Sequence, residues 1–371
     1  MLLSAVAVDR SPSERCSKPR SPLCRPVGSS RPTSISIRTP SGRSTPTAPS
    51  SPSRHRDVTV STLSIGLVGC GQWGSLILRD LRSLGVEVHV MVRSPDGHGE
   101  LIAAGATSVV HSIEELPTAL LDGLVVATPA STHAEVLDSL ESVELPIFVE
   151  KPLTVDGASA ARISQRCGSR LFVMDKWRYH PGIRAIRDLR SAGRLGADVA
   201  FDTIRVQAGT VHEDVSCVWT LLPHDLSIAL EIFGSLPEPV RATAVLDEGV
   251  ITEFTSEMVF ASGVPMYNRL GIIAPAHTRR VRVVGEDLVA TLADGWDEHV
   301  VLTTTGEPDG EPVEIIPATG ELPLLAELRM FVEHLRGGPA PVSSGAEAAA
   351  NVAIVERLLE LAGVPRAIHG G

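Results

Sequence analysis

Two features of this 371-residue chain have residue types and spacing that could do chemistry. The first is "GLVGCGQWG", residues 66–74, which sets Gly69, Gly71 and Gly74 at G-x-G-x-x-G spacing. In a turn from strand to helix, such glycines hold a pyrophosphate. The first permits the tight turn, the second lets the backbone approach the phosphates, and the third allows close helix packing. The second feature is a scarcity: lysine occurs only as Lys18, Lys151 and Lys176, and arginine supplies the rest of the Lys and Arg charge. A chain that writes its cations as Arg has little structural reason to place a Lys in its body, and only Lys gives up its proton readily. Lys151 and Lys176 are therefore candidates for chemistry.

A glycine loop carries meaning only in strand-turn-helix context. "LSIGLV" reads as a buried strand, "SLILRDLRSLG" as a helix, and "VEVHVMV", "GLVVAT" and "PIFVE" as later strands. This rhythm predicts a parallel sheet with crossover helices, and the glycines fall between its first strand and first helix. Cys70 and Trp73 in the loop are expected to pack, with Gln72 beside them at the cofactor. The end of the second strand usually carries an acid for the ribose 2'-hydroxyl of NAD. Here that window reads "HVMVRSPDG", with Met91, Val92, Arg93 and Ser94 in the acid's place. Arg93 and Ser94 suit a 2'-phosphate, which favours NADP(H) and leaves NAD(H) open. A solvated Arg at a strand end is the alternative.

Composition sets the bounds around these sites. The chain is 43% hydrophobic and long enough for two domains with sizeable cores. Residues 1–56 hold ten Arg or Lys against Asp9 and Glu14, which leaves 23 basic against 42 acidic residues beyond them. An acidic body argues against nucleic acid or an anionic membrane as partner. The first 57 residues, rich in Ser, Pro, Arg and Thr, are expected to be a disordered tail. They also share the Arg-rich, acid-poor composition of an organellar transit peptide, although their Pro density opposes an amphipathic helix. Cys16, Cys24, Cys70, Cys167 and Cys217 show no pairing or metal spacing, which points to a reducing compartment and no bound metal. No stretch is long and apolar enough to span a bilayer. The expected location is cytoplasmic, with organellar import if the tail is a transit peptide.

Two further motifs follow at strand ends, where an open parallel sheet binds its ligand. They are "ATPASTHAE", residues 127–135, in which Thr132 and Glu135 have capping-box spacing, and "VEKPL", residues 149–153. Together with the glycine loop, they resemble the glucose-fructose oxidoreductase, inositol dehydrogenase and rhizopine catabolism (Gfo/Idh/MocA) family. The resemblance extends through "VMDKWRYHPGIRAIRDLRSAGRLG", "PHDLSIALEIFG" and "LLAELRMFVEHLRGG", over roughly residues 62 to 365. It implies an α/β chain. Residues 58–178 would form a Rossmann dinucleotide-binding domain, and residues 179–371 an α+β domain with a large, mostly antiparallel open sheet. The final helices would be free to pack back on the first domain. It also implies Lys151 beside the reacting carbon and His224 as acid or base. Thr128 and Pro129 would lie against the nicotinamide and its ribose, with Glu150 and His133 close by.

Elementary chemistry agrees with those roles. Hydride transfer from a secondary alcohol needs a base for the hydroxyl proton, and a nearby ammonium favours the developing alkoxide. A helix-start histidine bonded to backbone is the structural alternative for His224. The pattern breaks at "WTLLPHD": many family members carry an Asp four residues before the His, and here that position is Thr220. Threonine cannot ionise, and Asp225 would point about 100 degrees away on a helix.

Three readings stand at this stage. The leading one is an NAD(P)-linked oxidoreductase acting on a sugar, nucleotide sugar or cyclitol. The others are a lyase or glycosidase with permanently bound NAD, and a cofactor-binding protein with little turnover. In "DKWRYHP", Lys176, Arg178, Tyr179 and His180 are candidates for a polyhydroxylated ligand, with bracing of the domain junction as the alternative for Arg178 and Tyr179. His212, Glu213 and Asp214 could also reach a ligand. "ITEFTSEMVFAS", residues 251–262, alternates as a strand with one buried face, and its other face could pair subunits into a homo-dimer or tetramer.

Overall fold

The computed structural model describes residues 62–209, 214–307 and 310–364; the expectations for the tail, including Lys18, Cys16 and Cys24, and for His212 and Glu213 lie outside them. Two sheets organise these residues. The first has six parallel strands: β1 (Ser64–Val68), β2 (Glu87–Met91), β3 (Ser108–Val110), β4 (Gly123–Val126), β5 (Ile147–Glu150) and β6 (Leu171–Met174). Their spatial order is β3-β2-β1-β4-β5-β6. The order reverses between β1 and β4, and a doubly wound sheet opens its ligand crevice at that switch. Strands β1 and β4 are fully buried and, Ser64 apart, apolar, as expected of strands covered on both faces.

Helices α1 (Gln72–Ser83), α2 (His98–Ala103), α3 (His133–Ser139) and α4 (Gly157–Cys167) make the crossovers. Helix α1 begins three residues before the apolar pattern suggested, so the helix itself starts inside the glycine loop. Thr132 and Glu135 do not form the expected capping box. The Thr132 hydroxyl instead donates to the Pro129 carbonyl at 2.7 Å, because a 3-10 turn over Ala130–Thr132 precedes α3 and keeps Thr132 in helical geometry.

After a 3-10 turn at Lys176–Tyr179 come α5 (Pro181–Ser191), β7 (Asp198–Ala208) and α6 (Cys217–Phe233). The second sheet is completed by β8 (Glu238–Asp247), β9 (Val250–Val259), β10 (Pro265–Gly271), β11 (Ile273–Gly285), β12 (Leu288–Leu292), β13 (His299–Thr304) and β14 (Glu314–Pro317). Its order is β14-β13-β12-β11-β7-β10-β9-β8, antiparallel except where β10 runs parallel to β7. The fold class is therefore the expected one: a Rossmann sheet followed by a large, mostly antiparallel sheet. Along β7 the inward residues are Phe201, Thr203, Arg205 and Gln207, so one face turns from apolar to polar toward the strand's C-terminal end.

Two last helices tie the layers together. Helix α7 (Pro323–Leu335) lies on the first sheet, where the Phe331 ring packs, tilted by 31°, against Phe148 of β5 with ring centroids 5.0 Å apart. Helix α8 (Gly345–Leu361) starts from the Ser344/Glu347 capping box and packs on α4 and α6. Among the described residues, no helix is long and apolar enough to cross a membrane.

Candidate active site

The glycine loop fits a dinucleotide by its own geometry. Gly69 has φ +90°, and a Cβ there would sit 2.8 Å from the Ala127 carbonyl carbon and oxygen. A Cβ on Gly74 would meet the Gly69 carbonyl oxygen at 2.6 Å, so neither position admits a side chain. Gly71 is exposed with open space before it, and as the N-cap of α1 it receives no side-chain capping bond. The first amides of a twelve-residue helix are thus presented bare, which suits a pyrophosphate.

Arg93 and Ser94 are exposed just past β2. Ser94 is bonded locally, donating to Asp96 Oδ2 at 3.2 Å and accepting from the Asp96 amide at 3.1 Å. Arg93 forms no ion pair among the described residues and is the free cation at that strand end.

At the ends of β4 and β5 the two remaining motifs meet. His133 is buried, and its ring nitrogens face the carbonyls of Pro152 at 2.8 Å and Thr128 at 3.0 Å, so it fastens one loop to the other. Burial pushes its pKa down. Ser131 donates through amide and hydroxyl to Asp214, at 3.0 and 3.1 Å, which ties the same loop to the approach to α6. Pro129 is left exposed.

Glu150 accepts from the Trp73 indole and from the Lys151 amide, so the glycine loop and the Glu-Lys-Pro turn hold each other. Burial raises the Glu150 pKa, opposed by Lys151 and Lys176. The Lys176 ammonium lies 4.3 Å from the Trp73 ring centroid, a cation–π contact. Burial lowers its pKa.

Lys151 reaches the second half of the site. Its ammonium donates to the Thr220 carbonyl on α6 at 3.0 Å. Burial lowers its pKa to about 8, with Glu150 opposing and Lys176 and Arg205 assisting. Thr220 offers no hydroxyl proton to a ligand, because Oγ1 donates to the Cys217 carbonyl at 3.1 Å.

His224 is not at a helix start. It lies within α6, directly after Pro223, which has no amide to donate and so leaves the carbonyl four residues back to find another partner. The His224 Nδ1 is buried without a hydrogen-bond partner. Burial pushes its pKa well down, reinforced by Lys151, Arg205, Lys176 and Arg279. Lys151 and His224 are thus set apart in protonation near neutrality: one is a proton donor, the other an acceptor.

The other candidates divide. Arg178 is buried and donates to the Val342 carbonyl at 2.6 Å, with Glu231 and Glu347 at 3.4 and 3.3 Å. The Tyr179 hydroxyl accepts from the Val342 amide at 3.2 Å. Both therefore brace the junction of α6, α8 and the loop before α8. His180 is satisfied on both sides, accepting from the Gly182 amide and donating to the Gly295 carbonyl. Asp225 turns away from His224, as its place on the helix requires, and accepts from Arg205 Nε at 2.5 Å beneath the site.

Sequence reasoning missed Arg205, Arg279 and Trp177. The Arg205 guanidinium lies 4.2 Å from the Trp177 ring centroid, and Trp177 lies 6.4 Å from the His224 ring. An Arg at an inward position of an alternating strand was the available signal. Among the described residues, no group of three or more His, Cys, Asp or Glu is placed to hold a metal.

Residues 63–171 match the oxidoreductase family with an NAD-binding Rossmann fold. The chain is 28% identical over 189 residues to a myo-inositol dehydrogenase, Hyg17, of Streptomyces leeuwenhoekii, covering 46% of this chain and 56% of that one, little more than half its length. It is 23% identical over 282 residues to inositol 2-dehydrogenase of Rhizobium meliloti, covering 70% of this chain and 80% of that protein.

Among solved structures, UDP-N-acetylglucosamine 3-dehydrogenase GnnA of Acidithiobacillus ferrooxidans shares the fold with a TM-score of 0.70 at 21% identity, over 81% of this chain and 97% of that one. Levoglucosan dehydrogenase in complex with NADH and levoglucosan does so with a TM-score of 0.70 at 16% identity and the same coverage. The match to the Gfo/Idh/MocA oxidoreductase family covers the Rossmann part of the chain, residues 63–171, and beyond it the solved structures share the fold.

Proposed function

We propose that this protein transfers hydride between a nicotinamide cofactor, with NADP(H) favoured, and a secondary alcohol or ketone of a sugar, nucleotide sugar or cyclitol. The observation that carries this reading is the placement of Lys151 on Thr220 of α6, four residues before His224, with opposed protonation of the two side chains. The relatives' names, inositol dehydrogenases and a nucleotide-sugar dehydrogenase, support the substrate range.

The cofactor would be held by Gly69, Gly71, Gln72, Trp73 and Gly74, with Arg93 at its 2'-phosphate. Thr128, Pro129, His133 and Glu150 would shape the nicotinamide end. A bound nicotinamide supplies the hydride acceptor or donor. In alcohol oxidation, neutral His224 takes the hydroxyl proton, while the Lys151 ammonium holds the developing alkoxide oxygen. In the reverse direction Lys151 polarises the ketone.

The test is a panel of nucleotide sugars, aldoses and inositols assayed by NADPH and NADH absorbance. At least one compound, or its keto form, should turn over with a stoichiometric cofactor change. Absence of turnover across the panel, with cofactor binding intact, would leave the protein a cofactor binder without this activity.

A further inference from the structure

We propose that the substrate of this site carries a carboxylate, which the Arg279 guanidinium receives; the inference rests on the oxidoreductase reading above. Arg205 of β7 and Arg279 of β11 are direct partners in the antiparallel register. Both point to the face that carries α6. Arg205 donates to Asp225 on α6, and Arg279 donates to the side-chain oxygen of Gln207, two residues along β7 on the same face. Like charges set directly opposite each other in a sheet are destabilising, so the pair needs a compensating anion.

The chain supplies one, and Arg205 takes it. Asp225 is 0% exposed and is further engaged by Asn268. Arg279 is left with neutral acceptors: the Val206 carbonyl at 3.0 Å, the Thr278 carbonyl at 2.9 Å and the Gln207 amide oxygen. Among the described residues it forms no ion pair. Asp294, on the loop after β12, is 3.7 Å from His277 and acts on Arg279 only at longer range.

Unlike Arg205, which is 1% exposed beneath Trp177, Arg279 is only partly buried and can meet a ligand. Burial and Arg205 press its pKa down to about 10, with Asp225 and Asp294 opposing from beyond ion-pair distance. Its field also reaches His224 and Lys176. Thr220 has the same sense: one turn before His224 on α6 stands a residue that cannot ionise, while Lys151, Arg205, Lys176 and Arg279 all add positive charge around the imidazole. A negative group on the substrate would offset that positive field and raise the basicity of His224. One guanidinium outside any ion pair, with a neutral amide beside it and two carboxylates at longer range, suits a monoanion better than a doubly charged phosphate.

The experiment uses the full chain loaded with NADPH and follows binding of glucuronate, gluconate, glucose, myo-inositol and glucose phosphate by tryptophan fluorescence, with kcat/KM for any that turn over. A sugar acid should bind at least about tenfold tighter than the neutral compounds, the size of one charge-assisted contact. Arg279→Gln should abolish that preference without weakening NADPH binding, and Arg279→Lys should restore part of it. Tighter binding of a neutral compound or of the phosphate, or a preference that survives Arg279→Gln, overturns the proposal. Failure of the two readings is distinguishable. Sugar-acid binding without hydride transfer defeats only the oxidoreductase reading, whereas turnover of neutral sugars alone defeats only this one.

Discussion

The Lys151 ammonium donates to the backbone carbonyl of Thr220 across 3.0 Å, joining the end of β5 to the first turn of α6 at the point where chemistry would occur. A carbonyl neutralises no charge, so burial is left to push the Lys151 pKa to about 8. Below that value the ammonium is present; above it the amine is. If the ammonium stabilises the substrate oxygen, kcat/KM should fall as pH rises through about 8. In Lys151→Arg that alkaline limb should vanish, since a guanidinium stays protonated throughout, although the rate will drop with the altered reach. An unchanged alkaline limb in Lys151→Arg would assign it to another group.

Removing the amine altogether tests its role more bluntly. Lys151→Ala should lower turnover by about 10²-fold or more, the usual contribution of an acid-base group. NADPH affinity should hold, because the glycine loop and Arg93 are untouched. A fully active Lys151→Ala enzyme removes Lys151 from the chemistry.

Thr220→Asp restores a carboxylate one helical turn before His224, on the same face of α6. A negative charge there favours the charged forms of both Lys151 and His224, so the alkaline limb should move to higher pH and the acid limb should become visible at higher pH. The measurement is the pH profile of kcat/KM in both proteins; profiles that coincide would show that position 220 does not face the reacting groups. With a carboxylate-bearing substrate, this variant should also weaken binding of sugar acids while sparing neutral sugars.

At the other end of the cofactor, Arg93→Ala should weaken NADPH by about ten- to a hundredfold and leave NADH nearly unchanged, since a guanidinium–phosphate pair is a charge-assisted contact that NADH lacks. Tryptophan fluorescence titration reads both. Tighter binding of NADH by the wild type would show that the 2'-phosphate is not recognised, with Asp96 beside Ser94 the acid to examine next.

Much of this arrangement was legible in the sequence because it rests on local rules. Glycine spacing, apolar strands and the Glu-Lys-Pro turn each depend on neighbours a few residues away, and the parallel sheet followed from them. The cross-chain pairings were not legible. Nothing near Lys151 in sequence announces the Thr220 carbonyl, which lies 69 residues further along. Nor does the Trp73 indole announce Glu150, 77 residues further on. Arg205 and Arg279 could be read only as two arginines in strands until the β7–β11 register set them opposite each other. Thr132 and Glu135 matched a capping motif by spacing, but the 3-10 turn before α3 claimed the threonine first.

Glu327 of α7 was also invisible from sequence, and it yields the most direct stability test. It is 0% exposed, and neither carboxyl oxygen has a hydrogen-bond partner. Burial pushes its pKa well above the ordinary 4.5, with Glu150 and Asp175 adding repulsion and Lys176 opposing. The folded protein therefore keeps the carboxyl protonated where the unfolded chain ionises. The sign follows from linkage: this group favours the folded state fully below pH 4.5, and that advantage is lost as pH rises toward the raised folded value. Each unit of that interval corresponds to about 1.4 kcal/mol. Glu327→Gln mimics the neutral acid and cannot ionise in either state. It should match wild-type stability near pH 4 and exceed it increasingly toward pH 8, as read from denaturant midpoints across that range. A variant that is destabilised at pH 8 would show that Glu327 is ionised in the fold and paired with Lys176.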